Sequence, residues 1–515
     1  MAVTAERVGD LLDLAAARFP ERTALVFEER RTTYRRLLER VGRLGGGLRR
    51  LGLRRGDRLA LFLDNCDQAW ELILACARTG IVWVPLNYML KGREVAAIVR
   101  HAGARALAVS REHWSTVEPL GDELGLAALI GVGEGAPGHP YEALIAASPA
   151  PASEPALRGD DLFCLLYTSG TTGLPKGTRL SHRAILAHAD IATREYEITP
   201  DSVGLVVLPY FVGATLNCIQ IPGLAQGIPL VIGRKFGPGA FFDLIRRERV
   251  THVQTVPTML VRLLDSPEID RADLSSIVTI GYGSAPMPLD RLRQLLDRFG
   301  PIFTQIYGLT ETCAMATVLR RHEHALVGPA AARLASCGRP APGVEVRLVD
   351  DAGDEVGRDR PGEIVIRGPT VMDGYWNAPE LTAEALRDGW FRSGDVARRD
   401  ADGFVYICDR KKDMIITGGF NVYPKEVEEV IYAHPGVGDC AVVGLPDPEW
   451  GEAVTAFVAP KAGARLDADE IVELCRRELA GYKKPRRVVF VDEIPRNPSG
   501  KVLKRVLRDS YAAVR

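Results

Sequence analysis

The first two thirds of the chain alternate between short apolar runs and helix-compatible segments, and this alternation limits the fold more than any other feature. Residues 58–63 (RLALFL) suit a buried strand, residues 69–79 suit a helix, and residues 82–86 suit a second strand. Parallel strands joined by helices are covered on both faces, so they are nearly all apolar. The same pattern recurs at 205–208, 230–232, 252–256 and 277–281. It predicts an α/β fold with parallel sheets.

The pattern changes near residue 340. Short alternating segments, EVRLVD at 345–350 and GEIVIRG at 362–368, predict a β-rich subdomain over about 340–409. The charged run DRKKD at 409–413 precedes a helix at 424–433 and strands at 439–444 and 453–459. We therefore predict a large N-terminal α/β domain of several subdomains over 1–409, a linker at 410–412, and a small C-terminal α+β domain over 413–515.

Charge and cysteine usage exclude several classes of protein. With 65 basic and 66 acidic residues, the net charge of -1 gives no global attraction to nucleic acid or to an anionic membrane. Nine scattered cysteines without a CxxC pair favour a reducing compartment. The acidic N-terminus does not resemble a signal peptide, and the most apolar stretch, 219–233, is interrupted by proline and glutamine. We expect a cytoplasmic protein with no transmembrane segment and no nucleic-acid partner.

The strongest local signal is YTSGTTGLPKG at 167–177, which follows an apolar run at 162–166. Glycines let backbone N–H groups turn toward an anion, hydroxyls donate further hydrogen bonds, and Lys176 supplies a positive charge. The spacing differs from a Walker A loop, and the alternative is an ordinary polar surface turn. We interpret the segment as a polyphosphate loop. Its candidate ATP-binding residues are Thr168, Ser169, Gly170, Thr171, Thr172, Gly173 and Lys176.

Six further motifs follow this loop in order. They are GYGSAP at 281–286, YGLTE at 307–311, GYWNAPELTAEALRDGWFRSGD at 374–395, DRKKDMI at 409–415, TGGFNVYP at 417–424 and PRNPSGK at 495–501. With this order the sequence resembles, over essentially its whole length, the adenylate-forming acyl-CoA synthetases, which are related to luciferases and peptide-synthetase adenylation domains. The resemblance implies that residues 1–409 bind ATP and a carboxylic acid and that residues 413–515 form a mobile lid.

The resemblance implies a nucleotide site assembled from several motifs. Tyr307 offers an aromatic face for a purine, Asp395 can accept hydrogen bonds from ribose hydroxyls, and Arg410 can donate to the same sugar. Taken alone, Arg410 would be read as the ion-pair partner of a neighbouring aspartate. The matched motifs add Gly283, Ser284, Ala285, Gly308 and Thr310 as ATP-binding residues.

Three residues are implied to act in catalysis: Lys501, Glu311 and Thr310. Glu311 supplies an oxygen ligand of the kind that Mg²⁺ prefers, and Thr168 is the second expected metal residue. Without the resemblance, Lys501 would be read as a solvated residue near the C-terminus. In the family the matching lysine bridges the carboxylate and the α-phosphate. One lysine cannot reach the phosphate loop while TGGFNVYP lines a thiol tunnel unless the lid reorients, so we predict a hinge at Lys412.

The resemblance also implies a coenzyme A site on the lid. Its expected residues are Gly418, Gly419, Phe420, Trp450, Tyr482, Lys484 and Arg486. The two glycines would let the pantetheine arm pass close to the backbone. The alternative for the segment KKPRR at 483–487 is a solvated basic patch.

The acyl pocket is expected between two strand ends. Its predicted residues are Phe211, Val212, Gly213, Gly281, Tyr282 and Gly283, together with the small residue Ala214. The family usually has a histidine where this chain has Val212, and often a glycine where it has Ser284. No residue in the set is ionisable near neutral pH, so burying a charged tail would be costly. We expect an acid with an uncharged tail, of medium-chain, alicyclic or aromatic type.

The sequence thus predicts an ATP- and Mg²⁺-dependent acid:CoA ligase that acts on a small carboxylic acid as a monomer or homodimer. Two alternatives stay open: a stand-alone adenylating enzyme that loads an acyl carrier protein, and a nucleotide-binding module without catalysis. Amino-acid activation is disfavoured because YFVGATLN lacks an aspartate for the ammonium group. His322 and His324 are predicted to lie in a solvated loop, and His252 to be a hydrogen-bonded wall residue.

Overall fold

The structure is a computed structural model that describes residues 5–149, 156–168, 176–418, 420–497 and 500–512. It confirms the predicted α/β class, with large parallel sheets first and smaller sheets later in the chain. The predicted loop residues Ser169, Gly170, Thr171, Thr172 and Gly173, and Gly419 of the predicted CoA site, lie outside the described residues.

Within the described residues, the α-helices are α1 (Asp10–Arg18), α2 (Tyr34–Arg50), α3 (Asp67–Thr79), α4 (Gly92–Ala102), α5 (Arg111–Val117), α6 (Tyr141–Ala146), α7 (His182–Glu195), α8 (Gly213–Thr215), α9 (Ile221–Gln226), α10 (Pro238–Glu248), α11 (Pro257–Leu264), α12 (Leu289–Phe299), α13 (Pro379–Ala385), α14 (Pro424–Tyr432), α15 (Ala468–Glu478) and α16 (Lys504–Ala512).

The strands found in the same residues are β1 (Thr23–Phe27), β2 (Arg30–Thr33), β3 (Arg58–Phe62), β4 (Val82–Pro85), β5 (Ala104–Ser110), β6 (Ala128–Val132), β7 (His139–Pro140), β8 (Leu162–Thr168), β9 (Lys176–Ser181), β10 (Gly204–Val206), β11 (Leu230–Ile232), β12 (His252–Thr255), β13 (Thr279–Tyr282), β14 (Phe303–Tyr307), β15 (Thr317–Leu319), β16 (Arg339–Pro340), β17 (Glu345–Val349), β18 (Gly362–Arg367), β19 (Leu386–Arg387), β20 (Trp390–Arg399), β21 (Val405–Arg410), β22 (Ile415–Thr417), β23 (Phe420–Val422), β24 (Val437–Asp447), β25 (Gly451–Pro460) and β26 (Arg487–Phe490).

Two mainly parallel sheets form the first part of the molecule. In the described chain one has the strand order β16-β15-β14-β13-β12-β10-β11-β1-β2 and the other β7-β6-β5-β3-β4-β8-β9. Helix α3 contacts β1 of the first sheet and β4 of the second, and most of its side chains are buried. A helix that is apolar around most of its circumference can be stable only in such a covered position.

Two smaller sheets follow, as the change of pattern near residue 340 predicts. Strands β17, β18, β20, β19 and β21 are joined by antiparallel pairs, and β22 to β26 form the last sheet, in which β26 runs parallel to β25. A single turn of 3₁₀ helix, Lys411–Asp413, connects them. The predicted domain boundaries and hinge stay predictions. Among the described residues, no helix has both the length and the apolar character needed to cross a bilayer.

Candidate active site

Asp395 lies at the centre of a buried polar group. Strand β14 ends at Tyr307, whose hydroxyl donates to Asp395 Oδ2 at 2.8 Å. The adjacent strand β21 brings Arg410 opposite Asp395, with Nε 2.5 Å from Oδ1. Burial raises the pKa of Asp395, while Arg410 and the Tyr307 hydrogen bond act in the opposite direction. Tyr307, which lies 88 positions before Asp395 in the chain, thus meets Asp395 and Arg410 in one group.

Lys501 is influenced electrostatically by Asp395 and Arg410 although it lies in the C-terminal part of the chain. Burial lowers the pKa of Lys501 to about 8; Arg410 and Lys412 act in the same direction, and Asp395 opposes them. The Lys501 backbone N–H donates to Asn497 Oδ1 at 2.8 Å. An ammonium group held among other cations is electrostatically suited to meet an anion.

Gly500 brings the Lys501 loop against the N-terminal part of the molecule. A Cβ atom added at Gly500 would lie 3.1 Å from Thr258 Oγ1, and the φ angle of this residue is +81°. A side chain at this position would therefore be strained and crowded.

A second group joins Glu311 to the phosphate-loop lysine through Tyr375. The Tyr375 hydroxyl donates to Glu311 Oε1 at 2.8 Å, and Lys176 Nζ lies 5.2 Å from the centre of the Tyr375 ring. Thr168 and Lys176 face each other at the adjoining ends of β8 and β9. Glu311 is buried, and its carbonyl accepts from Met372 N–H. The carboxylate, the lysine and the ends of the predicted phosphate loop therefore share one region.

Sequence reasoning missed Tyr375. It lies in the motif GYWNAP, but an aromatic residue in a loop gives no sign of a partner 64 positions earlier in the chain. The sequence could have indicated only that Tyr375 has a polar role, because a buried tyrosine hydroxyl usually finds a hydrogen-bond partner.

The predicted nucleotide-binding glycines lie where the backbone is crowded. A Cβ atom at Gly283 would lie 2.5 Å from the carbonyl oxygen of Ile306, and one at Gly308 would lie 2.5 Å from that of Ala314. Ser284 adopts a positive φ of +69°, which is uncommon for a residue with a side chain. Thr310 and Glu311 form a single 3₁₀ turn that follows these glycines.

The predicted acyl residues form two different environments. Phe211 and Val212 are partly exposed, and the Phe211 ring meets Tyr88 edge to face at 5.3 Å. Tyr282 is fully buried, and its hydroxyl bonds with Gln305 and His324.

The space left by the missing side chain of Gly281 is filled. The Tyr196 hydroxyl and Gln254 Oε1, which are hydrogen-bonded to each other, occupy it. Neither residue was singled out from the sequence.

Two aromatic and cationic pairs lie together on the last sheet. Phe420, which is 55% exposed, stacks on Tyr482 at 4.8 Å, and the Arg486 guanidinium lies 3.6 Å from the centre of the Trp450 ring. Pairing of Thr417 with Gly451 brings the two segments together, and a Cβ atom at Gly418 would lie 2.8 Å from Trp450. Lys484 is half-buried in the same part of the chain.

The histidines require one correction. His324 was expected in a solvated loop, but it is 6% exposed and bonds to the Tyr282 hydroxyl at 2.9 Å, because its turn folds back on β13. Burial lowers the pKa of His324 to about 4. The prediction for His252 is confirmed, since its Nε2 lies 2.8 Å from the Tyr196 carbonyl oxygen. No group of three or more His, Cys, Asp and Glu residues that could hold a metal occurs in the described part of the chain.

Comparison with known proteins identifies the class to which this fold and site belong. Residues 12–376 match the family model of the AMP-binding enzymes, and residues 426–501 match that of the AMP-binding enzyme C-terminal domain. The chain therefore belongs to the AMP-binding enzyme family. It is an AMP-forming acyl-CoA synthetase, an acyl- or aryl-CoA ligase for which ATP, coenzyme A and a small carboxylic acid are the substrates.

Individual relatives extend over nearly the whole chain. A feruloyl-CoA synthase of Amycolatopsis sp is 42% identical over 492 residues, covering 96% of each chain. An indoleacetate--CoA ligase of Aromatoleum aromaticum is 37% identical and covers 98% of each. The crystal structure of ATP-bound MatB from Rhodopseudomonas palustris is 32% identical, with a TM-score of 0.90 over 98% of this chain and 99% of that one. Apo MatB gives a TM-score of 0.79.

Proposed function

We propose that the protein joins an uncharged-tail carboxylic acid to coenzyme A in two half-reactions at one site. A carboxylate oxygen attacks the α-phosphorus of ATP, the bond to pyrophosphate breaks, and acyl-AMP forms. The thiolate of coenzyme A then attacks the acyl carbonyl carbon, and AMP leaves. The observation that carries the proposal is the packing of the Lys501 segment against the N-terminal part of the chain, where a Cβ atom at Gly500 would lie 3.1 Å from Thr258 Oγ1. Asp395 and Arg410 of that part both influence the pKa of Lys501.

Lys501 is assigned to the first half-reaction. Five-coordinate phosphorus concentrates negative charge on its oxygens, and a preorganised cation in a buried site stabilises such charge strongly. With a pKa of about 8, Lys501 is mostly protonated near neutral pH and can act as that cation. Lys176, on the Tyr375 ring, lies at the edge of the phosphate loop and is assigned to the pyrophosphate.

The residues around Asp395 are assigned to the nucleoside. Tyr307 and Arg410 hold the Asp395 carboxylate in place, so its orientation is fixed before ATP binds. A side chain at Gly283 or Gly308 would clash with the carbonyl oxygens of Ile306 and Ala314, so the local backbone of this region depends on glycine at both positions.

A magnesium site fits the residues present. Glu311 is a buried carboxylate close to the lysine of the phosphate loop, and Thr168 ends the strand at the same place. Mg²⁺ prefers carboxylate and phosphate oxygens, and when bound here it would supply positive charge to the polyphosphate. Tyr375 holds Glu311 by its hydroxyl and thereby orients the carboxylate.

The second half-reaction is assigned to the surface around Phe420. Aromatic faces and a guanidinium stacked on Trp450 suit a nucleotide base and its phosphates. This surface and Lys501 belong to the same C-terminal part, so serving both half-reactions requires that part to reorient. We place the pivot at Lys412, with residues 1–409 and 413–515 as the two bodies.

Within the uncharged class, we propose that the acid is aromatic. Phe211, the neighbour of Val212 in the chain, forms an edge-to-face pair with Tyr88, and aromatic rings pack favourably in such arrangements. The feruloyl and indoleacetate substrates named for two relatives support this choice. Acetate would leave most of such a surface unfilled.

A panel of acids tests the proposal. Pyrophosphate and AMP release are measured with benzoate, ferulate, indoleacetate, cyclohexanecarboxylate, octanoate, acetate, succinate and alanine, each with and without coenzyme A. We expect the best kcat/KM for an aromatic acid, and a best value for acetate, succinate or alanine would contradict the assignment. Val212→Trp should selectively depress the bulky acids while KM for ATP stays unchanged, whereas Val212→Ala serves as the size-reducing control.

The same panel separates the alternatives. Transfer to a phosphopantetheinyl carrier protein but not to coenzyme A would identify a carrier-loading enzyme. Binding of ATP without release of pyrophosphate for any acid would identify a non-catalytic module. Light scattering distinguishes the monomer from the homodimer.

A further inference from the structure

The last helix, α16, places two cations among three carboxylates close to the linker. Lys504 Nζ lies 3.2 Å from Glu428 Oε1 and 3.8 Å from Asp409 Oδ2. Arg508 Nη2 lies 3.2 Å from Asp413 Oδ1. Asp409 precedes the proposed pivot and Asp413 follows it, so α16 is tied by charge to both sides of the linker.

The part of this network around Lys504 is buried. The side chain of Lys504 is 13% exposed and that of Asp409 is 9% exposed. Burial alone lowers the pKa of Lys504, but Glu428, Asp409 and Asp413 outweigh it and raise the pKa. Exposed ion pairs contribute little to stability, whereas loss of one partner from a buried group leaves an uncompensated charge.

Asp409 contacts residues on the far side of the linker rather than its neighbours in the chain alone. It belongs to β21, which pairs with the strand that carries Asp395. Its Oδ2 accepts the Lys425 backbone N–H at 2.9 Å, at the first turn of α14, and Lys425 Nζ donates to the Ile407 carbonyl oxygen at 3.0 Å. Residues on both sides of the proposed pivot therefore converge on one carboxylate.

Rotation about Lys412 would affect these contacts unequally. The pairs Lys504–Glu428 and Arg508–Asp413 join residues that all follow the pivot, so they move together. The contact between Lys504 and Asp409 joins residues on opposite sides, as do the two hydrogen bonds of Lys425, so rotation breaks them. The Lys504–Asp409 contact is specific to the orientation described here, in which Gly500, next to Lys501, packs against Thr258.

We propose that Lys504 is a positioning residue for acyl-AMP formation. Through Asp409 it holds α16 against the N-terminal part of the protein, and with α16 it holds Lys501, three residues earlier, at the nucleotide side of the site. The inference rests on the proposed function and on reorientation about Lys412. It assigns Lys504 no contact with substrate.

The test uses the full-length enzyme and measures the two half-reactions separately. Single-turnover acyl-AMP formation is followed after mixing with ATP and the best acid, and thioester formation is followed from synthetic acyl-AMP and coenzyme A. Lys504→Met should slow acyl-AMP formation by at least about tenfold, because one buried cation is lost from the network. Thioester formation should be unchanged or faster, because the Lys504–Asp409 contact no longer opposes the orientation of residues 413–515 that this second half-reaction uses.

Three further variants complete the design. Arg505→Met, on the same helix with a side chain that is 74% exposed, is the matched control and should leave both rates unchanged. Lys504→Arg should restore most of the adenylation rate. Asp409→Asn keeps the Lys504–Glu428 pair, but its single carbonyl oxygen can accept only one of the two backbone N–H groups, of Arg410 and Lys425, that the carboxylate oxygens accept. Its thermal unfolding midpoint is therefore measured as well, and we expect it to slow acyl-AMP formation alone.

Equal loss of both half-reactions in Asp409→Asn, at an unchanged thermal unfolding midpoint, would overturn the inference by showing a purely structural role. Unchanged rates in both Lys504→Met and Asp409→Asn would overturn it as well. If the unmodified enzyme forms no acyl-AMP with any acid, the proposed function itself fails, and this inference fails with it.

Discussion

The nucleotide side of the site and the surface around Phe420 are built in contrasting ways. On the nucleotide side, Asp395 is buried and Lys501 is half-buried among other charges, and desolvation shifts both of their pKa values. Around Phe420, half-open rings stack on one another and a guanidinium covers Trp450. Buried charge suits a step in which charge develops at phosphorus, whereas exposed rings suit the binding of a long arm and its nucleotide. The two half-reactions should therefore respond differently to mutation.

The largest effect is expected at Lys501. Lys501→Ala should lower the rate of acyl-AMP formation by about 10² to 10³, the loss typical of a preorganised stabiliser of developing charge. Thioester formation from synthetic acyl-AMP should stay near normal, because a thiolate attacking a carbonyl does not need that cation. Lys461→Ala, at an exposed lysine of the same part of the chain, is the control. Equal losses in the two half-reactions would show that Lys501 is not specific to acyl-AMP formation, and the contrast between the nucleotide side and the surface around Phe420 would fail.

The next largest effect is expected at the proposed pivot. Lys412→Pro fixes φ near -65° and should trap one orientation. We expect acyl-AMP formation to survive and thioester formation to fall at least about tenfold, equivalent to roughly 1.4 kcal/mol of barrier. Lys412→Ala removes the same side chain but leaves φ free, so both of its rates should stay close to normal. If the proline variant keeps both rates, the pivot lies elsewhere.

A pH profile sharpens the contrast without a mutation. Because the pKa of Lys501 is lowered to about 8, its charge is present below that pH and is lost as pH rises through it. The rate constant for acyl-AMP formation should fall by up to about tenfold per pH unit above the apparent pKa. Thioester formation should not fall over the same range, since the thiol of coenzyme A is increasingly ionised. An acyl-AMP profile that stays flat to pH 9.5 would contradict the assigned role.

Features that follow from local sequence patterns were predicted, whereas contacts between distant loops were not. The parallel strands were predictable because burial on both faces makes them continuously apolar, and β11 begins and ends at the predicted residues, 230–232. The Asp395 group was predicted as a set, since each member lies in a motif of the family. The link through Tyr375 was not, because it depends on a hydrogen bond between loops that the chain pattern does not encode.

Two other features were beyond sequence reasoning for the same reason. The burial of His324 depends on a turn folding back on β13, and a histidine that directly follows the charged run RRHE carries no sign of it. The network of Lys504 joins residues 409, 428 and 504, each of which reads as an ordinary surface charge when taken alone. Contacts between distant parts of the chain, rather than local propensity, decide both cases.

The smallest effect is expected at Phe420. Phe420→Ala removes one ring of the exposed stack with Tyr482, and base stacking on an aromatic side chain contributes about 1 to 3 kcal/mol where the ring is fully used. Because Phe420 is already half-exposed, we expect the lower end of that range, a rise in KM for coenzyme A of about fivefold with little change in kcat. Phe490→Ala, at another exposed phenylalanine of the last sheet, is the matched control and should leave KM for coenzyme A unchanged.

Acyl-AMP formation in the absence of coenzyme A should be the same for both variants and the unmodified enzyme. A loss of acyl-AMP formation in Phe420→Ala would show that the aromatic surface also serves the first half-reaction, and the division of labour between the two regions would then be wrong.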